Sequence, residues 1–456
     1  MHTGLTLAIT KAAASASRVA GRGQGAALPG LLAERLDPRL AKTLAAKLPH
    51  GSIIVTGTNG KTTTTKLLRA ALEASGEVVL SNRSGSNLKR GVVSALIQGV
   101  SLRGKTKATI GLFEVDEASV RLVAPLIMPR VIIVLNLFRD QLDRYGELDT
   151  TAALIGEGIA GAPKAQVILN ADDPLVASLA RFASPHSVVT YFGIDGLPAE
   201  LATGDRGAVD SDRSPISGEK LTFSRIFYAH LGHYESKSFS RPRPHINLTS
   251  VERADATGSD FEVSVNGKRT KAHLALPGVY NLYNALAALA GASTLGIGAP
   301  EALATFATTT AAFGRVESIT WRGRKLLLLL IKNPTGATQV LETFLVREKA
   351  PHVLIAINDN YADGRDVSWL WDVPFERLAA TEPNVTVSGT RAADMALRLK
   401  YASIDVACED ELVFALDAFA KNLPEGATGY ILPTYTAMVA LRKIIARSAQ
   451  IPEAGV

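Results

Sequence analysis

The chain has 456 residues, of which 47% are hydrophobic and 20% are charged, and its net charge is +6 with Cys408 as the single cysteine. This length and composition predict about two or three globular domains with well-buried cores, and they exclude a disordered chain. One cysteine excludes an internal disulfide and a cysteine-rich metal site, and it suits the reducing cytoplasm. The mild positive charge fits phosphate groups or an anionic membrane surface, but no aromatic-studded basic run indicates a nucleic-acid partner.

Residues 1–48 have the pattern of two short helices separated by the glycine-rich stretch 21–25. Lys11 and Arg18 interrupt the apolar run 5–20, so this run lacks the core of a secretory signal. It is typical of a short basic amphipathic helix, for which peripheral contact with the inner face of the plasma membrane is an open alternative. No apolar stretch approaches the length of a membrane span.

Residues 56–64, Thr-Gly-Thr-Asn-Gly-Lys-Thr-Thr-Thr, form what we call the phosphate turn. The turn follows an apolar run read as a buried strand and precedes a helix predicted over 63–75. Its backbone N–H groups and the positive end of the helix attract an anion. Lys61 is expected to reach the β- and γ-phosphates, and the Thr62 hydroxyl to ligate magnesium. The rest of the predicted nucleotide-binding set is Gly57, Thr58, Asn59, Gly60 and Thr63.

The alternative is a structural glycine-rich turn, since Val55 stands where the usual phosphate-loop motif has its first glycine. Nucleotide binding is favoured because strand, turn, lysine, hydroxyl and helix follow in the required order.

Strands and helices alternate beyond the turn, which predicts a parallel sheet with helices on both faces. Further strands are predicted over 78–80, 108–113, 131–135 and 166–170, then a hairpin-like insertion over 198–260 and a helix over 281–295. A second α/β pattern has strands over 325–330, 352–357, 385–388 and 430–432. We therefore expect an N-terminal helical segment over 1–48, a central domain over 49–314 and a C-terminal domain over 315–456.

Five motifs stand in one order along the chain. They lie at 112–117, 135–146, 169–174, 278–288 and 314–317. Together they resemble the Mur ligase family, ATP-dependent amide-forming enzymes of peptidoglycan synthesis. The resemblance runs from Ser52 to the C-terminus. It implies a P-loop ATPase domain with a parallel sheet, followed by a Rossmann-like α/β domain.

Four segments are similar to one branch of that family, in which a ligase-like subunit works with a glutaminase. They are 113–117, 136–141, 332–336 and 358–369. Too few residues precede the phosphate turn for the substrate domain of amino-acid-adding members, which also fits this branch. The resemblance implies a heterodimer with a GatD-like glutaminase. ATP would activate the α-carboxyl of D-glutamate in the lipid II stem peptide, and ammonia would convert it to D-isoglutamine. The alternatives are an amino-acid-adding or folylpolyglutamate-type ligase, and a nucleotide-binding scaffold without enzymatic activity.

The resemblance assigns further roles. Glu114, at the end of a strand, is expected to be a second magnesium ligand, with a capping or surface acid as the alternative. Asn281 aligns with the family's adenine-side asparagine, with an N-cap of a helix over 282–295 as the alternative. Arg315 is expected to counter phosphoryl charge, with a structural salt bridge as the alternative. Gln141 stands where many members have histidine, so its role as a metal ligand is left open.

Asp366 is implied by the resemblance to reach a partner's active site. There it would complete a Cys-His-Asp set whose cysteine and histidine lie on the glutaminase, with the acid orienting the histidine. Asp359 and Asp363 are close competitors, and a turn rich in Asx and glycine is the structural alternative for all three.

Relatives in this branch commonly carry a four-cysteine zinc ribbon where this chain has serines. The serine positions are Ser214, Ser217, Ser236 and Ser238. Serine hydroxyls do not replace thiolates for zinc, so ATP and Mg²⁺ are expected and zinc is not. His230 and His233 have a spacing that suggests a metal site, but a structural role is favoured for both.

Overall fold

The computed structural model describes residues 3–19, 28–82, 86–139, 148–202, 211–255, 257–310 and 316–448. Contacts divide the chain into two compact units, the first built mainly from residues up to Thr309 and the second mainly from Thr310 onward. Within the described ranges, no helix has the length and apolar character needed to cross a membrane.

The first unit is built on a large sheet. The described strands of this unit are β1 (Ser52–Thr56), β2 (Val79–Leu80), β3 (Ile110–Glu114), β4 (Val131–Val134), β5 (Gln166–Asn170), β6 (Val189–Ile194), β7 (Thr222–Tyr228), β8 (Leu231–Glu235), β9 (Ile246–Asp255), β10 (Gly258–Val265) and β11 (Lys268–Leu274). Nine of them form one sheet in the order β11-β10-β9-β6-β5-β4-β1-β3-β2. Neighbours from β9 to β2 run parallel, whereas β9, β10 and β11 pair antiparallel. The central strands β1, β3 and β4 are buried throughout, as expected for parallel strands covered on both faces.

Helices cover both faces of this sheet. They are α1 (Thr3–Val19), α2 (Leu28–Leu36), α3 (Leu40–Ala45), α4 (Lys61–Ala74), α5 (Lys89–Gln98), α6 (Val120–Ile127), α7 (Leu148–Ala160), α8 (Pro174–Ser178), α9 (Val279–Thr294) and α10 (Ala299–Phe306), with 3₁₀ turns at Glu117–Ser119 and Leu179–Phe182. Successive residues of a strand face opposite sides. Ile132 accordingly joins the core under α5 and α6, while Ile133 lies against Gly291 of α9.

The N-terminal segment contains three described helices rather than the two that were predicted. Leu7, Leu40 and Leu44 are buried in the same core as Ile54 and Phe113 of the sheet. These helices are therefore an integral layer of the first unit.

The predicted insertion contains a hairpin, in which β7 and β8 form a two-stranded sheet of their own. The last part of the predicted insertion differs, because β9 and the start of β10 pair into the large sheet. Their sequence is polar because antiparallel strands at the side of a sheet leave one face in water.

The second unit is a six-stranded sheet with helices on both faces. Its strands are β12 (Glu317–Trp321), β13 (Arg324–Leu328), β14 (His352–Ala356), β15 (Asn384–Ser388), β16 (Val406–Cys408) and β17 (Thr428–Pro433), in the order β12-β13-β17-β14-β15-β16. Its helices are α11 (Pro334–Val340), which continues as a π-helical turn at Leu341–Leu345, α12 (Glu376–Ala379), α13 (Ala392–Tyr401), α14 (Leu412–Asn422) and α15 (Tyr435–Ser448), with a 3₁₀ turn at Ser368–Asp372. All neighbours except the edge pair β12–β13 are parallel. The predicted class, an α/β protein with a parallel central sheet and a second Rossmann-like unit, is confirmed.

Candidate active site

The phosphate turn joins the end of β1 to the start of α4, and it is clamped to the segment after β4. The Thr58 backbone N–H donates to the Asn136 carbonyl at 2.9 Å. The Asn59 backbone N–H donates to Asn136 Oδ1 at 2.8 Å, and Asn136 Nδ2 donates to the Asn59 carbonyl at 3.0 Å. The Thr58 hydroxyl is also bonded to the backbone of Phe138. The turn is thus held in one shape before any ligand arrives.

Two glycines of the turn are required by geometry. Gly57 has φ +127°, and a Cβ there would lie 2.9 Å from the Asn136 carbonyl oxygen. Gly60 has φ +91°, and a Cβ there would lie 2.0 Å from Asn284 Oδ1. Both positions therefore exclude any residue with a side chain. Because Gly60 is the N-cap of α4, no side chain at that position competes for the first N–H groups of the helix.

Lys61 is the first residue of α4 and lies inside the turn. Its ammonium donates to the Gly57 carbonyl and, at 3.4 Å, to the Thr58 carbonyl. It also lies 3.2 and 3.3 Å from the two carboxylate oxygens of Glu117. The lysine is therefore held in the turn by three different oxygen groups.

Thr62 and Glu114 meet beside this lysine. The Thr62 hydroxyl donates to Glu114 Oε2 at 3.0 Å, and Glu114 is buried at the end of β3. Asn82 fixes that strand end, since it accepts from the Glu114 N–H and donates to the Glu114 carbonyl. A hydroxyl and a carboxylate held together offer the oxygen ligands that Mg²⁺ prefers. The donor set fits that ion.

Helix α9 passes next to the phosphate turn. Asn284 accepts from the Thr64 hydroxyl at 3.4 Å and donates to Asn281 Oδ1 at 3.1 Å. Asn281 Nδ2 donates to the Pro277 carbonyl at 2.7 Å. The N-cap of this helix is Gly278, so the alternative reading of Asn281 as the N-cap is wrong.

We call the four neighbouring side chains of Lys61, Thr62, Glu114 and Glu117 the Lys61 site.

The structure thus gathers most of the predicted nucleotide-binding residues at one edge of the large sheet. The described members are Gly57, Thr58, Asn59, Gly60, Lys61, Thr62, Thr63, Glu114 and Asn281. Gln141 and Arg315 lie outside the described residues. Sequence reasoning gave no role to Asn82, Glu117, Asn136 or Asn284, although the last three stand inside the quoted motifs. For Glu117 and Asn136 the available signal was a polar residue that follows a strand within a family motif.

The Asp366 loop, residues 357–367, follows β14 in the second unit. Asp363 is buried and accepts from both the backbone N–H and the hydroxyl of Thr436. Asp359 accepts from the Thr390 hydroxyl at 2.9 Å and lies 3.2 Å from an Arg391 nitrogen. These two carboxylates brace the loop against its own unit.

Asp366 differs because its side chain is exposed. Its Oδ1 accepts from the Ser368 backbone N–H at 2.8 Å. Hydrogen bonds from the Ser368 hydroxyl and N–H lower the pKa of the Asp366 carboxyl, so it stays ionised at neutral pH. Of the three aspartates, Asp366 is the most exposed, whereas Asp359 is half-buried and Asp363 is buried.

The serine hairpin, residues 214–240, keeps knuckle-like turns without thiolates. Ser214 Oγ accepts from the N–H groups of residues 216 and 217, and Ser236 Oγ accepts from those of residues 238 and 239. The Ser238 hydroxyl donates to Glu219 Oε2 at 2.8 Å. The hydrogen bonds from Ser238 and then Ser236 lower the pKa of Glu219. Hydroxyls around a carboxylate do not fit zinc.

The two histidines of this hairpin are engaged with different partners. His230 Nε2 lies 3.4 Å from Asp173 Oδ2 in the core, whereas His233 Nε2 lies 3.0 Å from the Ile194 carbonyl and 3.3 Å from Asp195 Oδ1. In the part of the chain that the structure describes, no group of three or more His, Cys, Asp or Glu side chains is placed to hold a metal. Both contacts support a structural role.

Comparisons with known proteins agree with this architecture. The Mur ligase middle domain model matches residues 55–234, and the MurT ligase C-terminal model matches residues 330–438. A pseudomurein peptide ligase type C from Methanothermus fervidus is similar in structure, with a TM-score of 0.69, 21% identity, and coverage of 89% of this chain and 80% of that one. MurF from Thermotoga maritima, solved in complex with ADP, has a TM-score of 0.62 at 14% identity and covers 90% of this chain and 82% of that one. The fold is therefore that of the Mur ligases.

Sequence relatives narrow this class. The lipid II isoglutaminyl synthase (glutamine-hydrolyzing) subunit MurT of Streptococcus pneumoniae is 34% identical over 433 residues, which cover 93% of each chain. The protein of the same name from Staphylococcus aureus is 31% identical over 445 residues, covering 96% of this chain and 97% of that one. The chain belongs to the MurT family.

Proposed function

We propose that this protein is the ATP-dependent ligase subunit of a lipid II isoglutaminyl synthase. Its substrate is the α-carboxyl of D-glutamate in the lipid II stem peptide, and its product is D-isoglutamine. The observation that carries this proposal is the Lys61 site, in which Lys61, Thr62 and Glu114 lie together at the mouth of the phosphate turn in a chain of the MurT family.

The reaction has two balanced steps. A carboxylate oxygen first attacks the γ-phosphorus of ATP, and the bond from this phosphorus to the β,γ-bridging oxygen breaks. ADP departs with the electrons of that bond, and the substrate becomes an acyl phosphate. Ammonia then attacks the carbonyl carbon, phosphate departs with the electrons of the C–O bond, and the nitrogen loses a proton. The protein contributes mainly alignment and charge neutralisation, and Lys61 is the cation that faces the transferring phosphoryl group.

Magnesium is the ion that fits Thr62 and Glu114, with Gln141 as a third candidate ligand. When bound, the ion neutralises charge on the β- and γ-phosphates. Asn82 fixes the backbone of Glu114, and the Thr62 hydroxyl bonds its carboxylate, which supports this role.

Adenine recognition is assigned to Asn281. Its amide uses one N–H on Pro277 and one lone pair on Asn284, which leaves one N–H and one lone pair in the described contacts. Adenine offers the complementary acceptor and donor on one edge. Arg315 is assigned to the charge that develops on the phosphoryl group, as the family pattern suggests.

The partner is proposed to be a GatD-like glutaminase that forms a heterodimer with this chain and supplies ammonia. Asp366 would orient the catalytic histidine of that partner. Its exposure supports this role over Asp359 and Asp363, whose carboxylates are occupied by their own unit. Tyr361 in the same loop is 76% exposed, and an exposed aromatic side chain is typical of a protein interface.

The remaining assignments follow from the same reading. The protein is proposed to act in the cytoplasm, at the inner face of the plasma membrane where a lipid-linked substrate lies. Neither zinc nor nucleic acid is part of the proposed activity.

The test is co-purification of the chain with a glutaminase-like protein, followed by mass spectrometry of lipid II incubated with ATP and glutamine. The expected product carries an amino group in place of one carboxyl hydroxyl, and it forms only with ATP. Addition of an amino acid in place of ammonia would support an amino-acid-adding ligase. Co-purification with the glutaminase-like protein but no product from lipid II would support a nucleotide-binding scaffold without enzymatic activity.

A further inference from the structure

Glu117 is the one side chain among the hydrogen-bond partners of Lys61 described above, since the other two are backbone carbonyls. Its carboxylate oxygens lie 3.2 and 3.3 Å from Lys61 Nζ. The side chains are only 12% and 10% exposed, so water and salt screen the pair weakly. The contact is therefore a substantial constraint on where the ammonium lies.

Lys61 has its donors filled in this arrangement. An ammonium has three N–H groups, and those of Lys61 face the Gly57 carbonyl, the Thr58 carbonyl and the Glu117 carboxylate. A nucleotide phosphate can approach the ammonium closely only by replacing one of these oxygens. The two carbonyls belong to the backbone of the clamped turn, whereas the Glu117 carboxylate is carried by a side chain. The carboxylate is therefore the partner that a phosphate can replace through a change of rotamer.

The backbone of Glu117 is anchored. It begins the 3₁₀ turn that follows β3, the Asp116 N–H donates to the Asn87 carbonyl at 2.9 Å, and the Ser119 N–H donates to the Asp116 carbonyl at 2.9 Å. An exchange at Lys61 can therefore leave this backbone in place and change the Glu117 side-chain rotamer, so the carboxylate remains close enough to return.

We propose that Glu117 is a positioning residue that holds Lys61 in the empty phosphate turn and is displaced by a phosphate of the incoming nucleotide. This rests on the proposed function, which makes the turn a nucleotide site. The carboxylate competes with the phosphate for one ammonium. It keeps the lysine aligned without nucleotide, weakens nucleotide binding, and favours release of ADP after the phosphoryl group has been transferred.

The rival role for Glu117 is that of a magnesium ligand. In the structure the Thr62 hydroxyl is bonded to Glu114, whereas Glu117 contacts the lysine. The two roles predict opposite signs, because loss of a competitor strengthens nucleotide binding and loss of a metal ligand weakens it when Mg²⁺ is present.

The test is the affinity for ADP of the purified full chain, measured by calorimetry with Mg²⁺ and again with EDTA. Glu117→Gln keeps the side-chain shape and removes the charge. We expect it to bind ADP about tenfold more tightly under both conditions, as expected for losing one charged competitor at the ammonium. Structural damage does not produce a gain in affinity, so partial misfolding cannot imitate this result.

Two further variants complete the experiment. Asp116→Asn removes a neighbouring, equally buried carboxylate that is not a partner of Lys61, and we expect it to change ADP affinity by less than about twofold. In a Lys61→Ala background, Glu117→Gln should no longer increase affinity, because the competition requires the ammonium.

Unchanged or weaker ADP binding by Glu117→Gln would overturn the proposal. Weaker binding confined to the Mg²⁺ condition would identify Glu117 as a metal ligand instead. Tight binding that persists in the Lys61→Ala background would show that the effect does not act through the lysine. If the unmodified chain bound no ADP, the nucleotide site and this inference would both fail, whereas ADP binding without the Glu117 effect removes the inference alone.

Discussion

In the first unit, the loops after β1 and β3 bury charged side chains against one another, whereas in the second unit the loop after β14 leaves Asp366 exposed. Lys61 is paired with Glu117, and Glu114 with Thr62. Asp366 is bonded within its own loop to Ser368. Both regions lie at the carboxyl ends of parallel strands, the usual place for ligands in α/β sheets.

The difference corresponds to the kind of partner that each region needs. A small anionic ligand can replace one member of a buried pair, so the Lys61 site can be preformed around its own counterions. An exposed carboxylate gains little from its own chain, since water screens it, and it becomes effective when another protein excludes that water. The charges of the first region are thus paired within one unit, and the second region is proposed to be completed by a partner.

Replacing the exposed carboxylate is expected to have the largest effect. Asp366→Asn should lower glutamine hydrolysis by the complex about a thousandfold or more, because an amide cannot stabilise an imidazolium and favours the wrong tautomer. ADP binding should persist, and amidation should return when ammonia replaces glutamine. The measurement is glutamate release beside amidation of lipid II with each nitrogen source.

Two results would contradict this assignment. Normal glutamine hydrolysis by the Asp366→Asn complex would end the shared-triad proposal. Loss of amidation with ammonia as well would place Asp366 in the ligase chemistry. The hydrogen bonds from Ser368 lower the pKa of Asp366, so the ionised form that this role needs persists further into acid than that of an ordinary aspartate.

Removing the buried cation is expected to have the next largest effect. Lys61→Ala should reduce amidation at least about a hundredfold with either nitrogen source, since a charge-assisted phosphate contact is worth a few kcal/mol. Glutamine hydrolysis by the complex and the fold should be retained. Arg69→Ala, on the exposed side of the same helix, is the control and should be close to wild type. Near-normal amidation by the lysine variant would remove the phosphate-turn assignment.

Asp363, which lies in the same loop as Asp366, tests the comparison through the stability of the second unit. Asp363→Asn replaces an acceptor of two Thr436 donors by a group that presents its own N–H donors, and the site is buried. We expect a loss of about 1–3 kcal/mol in the free energy of unfolding of the second unit, with a milder effect on glutamine hydrolysis than that of Asp366→Asn. Denaturant unfolding measures the free energy of unfolding, and glutamate release measures glutamine hydrolysis. A thousandfold loss of hydrolysis without destabilisation would favour Asp363 as the partner's acid.

Local order along the chain made much of this fold predictable. The strand over 166–170 matches β5 exactly, because a short apolar run bounded by turn residues has few alternatives. Helix α4 starts at Lys61 rather than at residue 63, since Gly60 in the left-handed region ends the turn there. The short edge strand β16 was missed because its residues are half-buried or exposed and carry no apolar alternation.

Contacts between distant segments were not predictable. Thr64 meets Asn284 across 220 positions, and Asn59 meets Asn136 across 77. Glu114 ends β3 and two more acids, Asp116 and Glu117, follow it, and the sequence does not indicate which of the three faces the lysine. That choice depends on the 3₁₀ turn, which directs Glu117 toward Lys61 and leaves Glu114 beside Thr62.

The serine hairpin is expected to show the smallest effect. It is a third case for the comparison, because its polar side chains, among them the buried Ser214, are bonded within the hairpin. Glu219 accepts from Ser238, and the knuckle-like turns around Ser214 and Ser236 are closed by backbone N–H groups. Elemental analysis of the purified chain should find less than about a tenth of an equivalent of zinc, because thiolates are the natural ligands of such a ribbon. Treatment with a chelator should leave the unfolding midpoint and ADP affinity unchanged. Stoichiometric zinc that resists chelation would contradict this and would direct attention to His230 and His233.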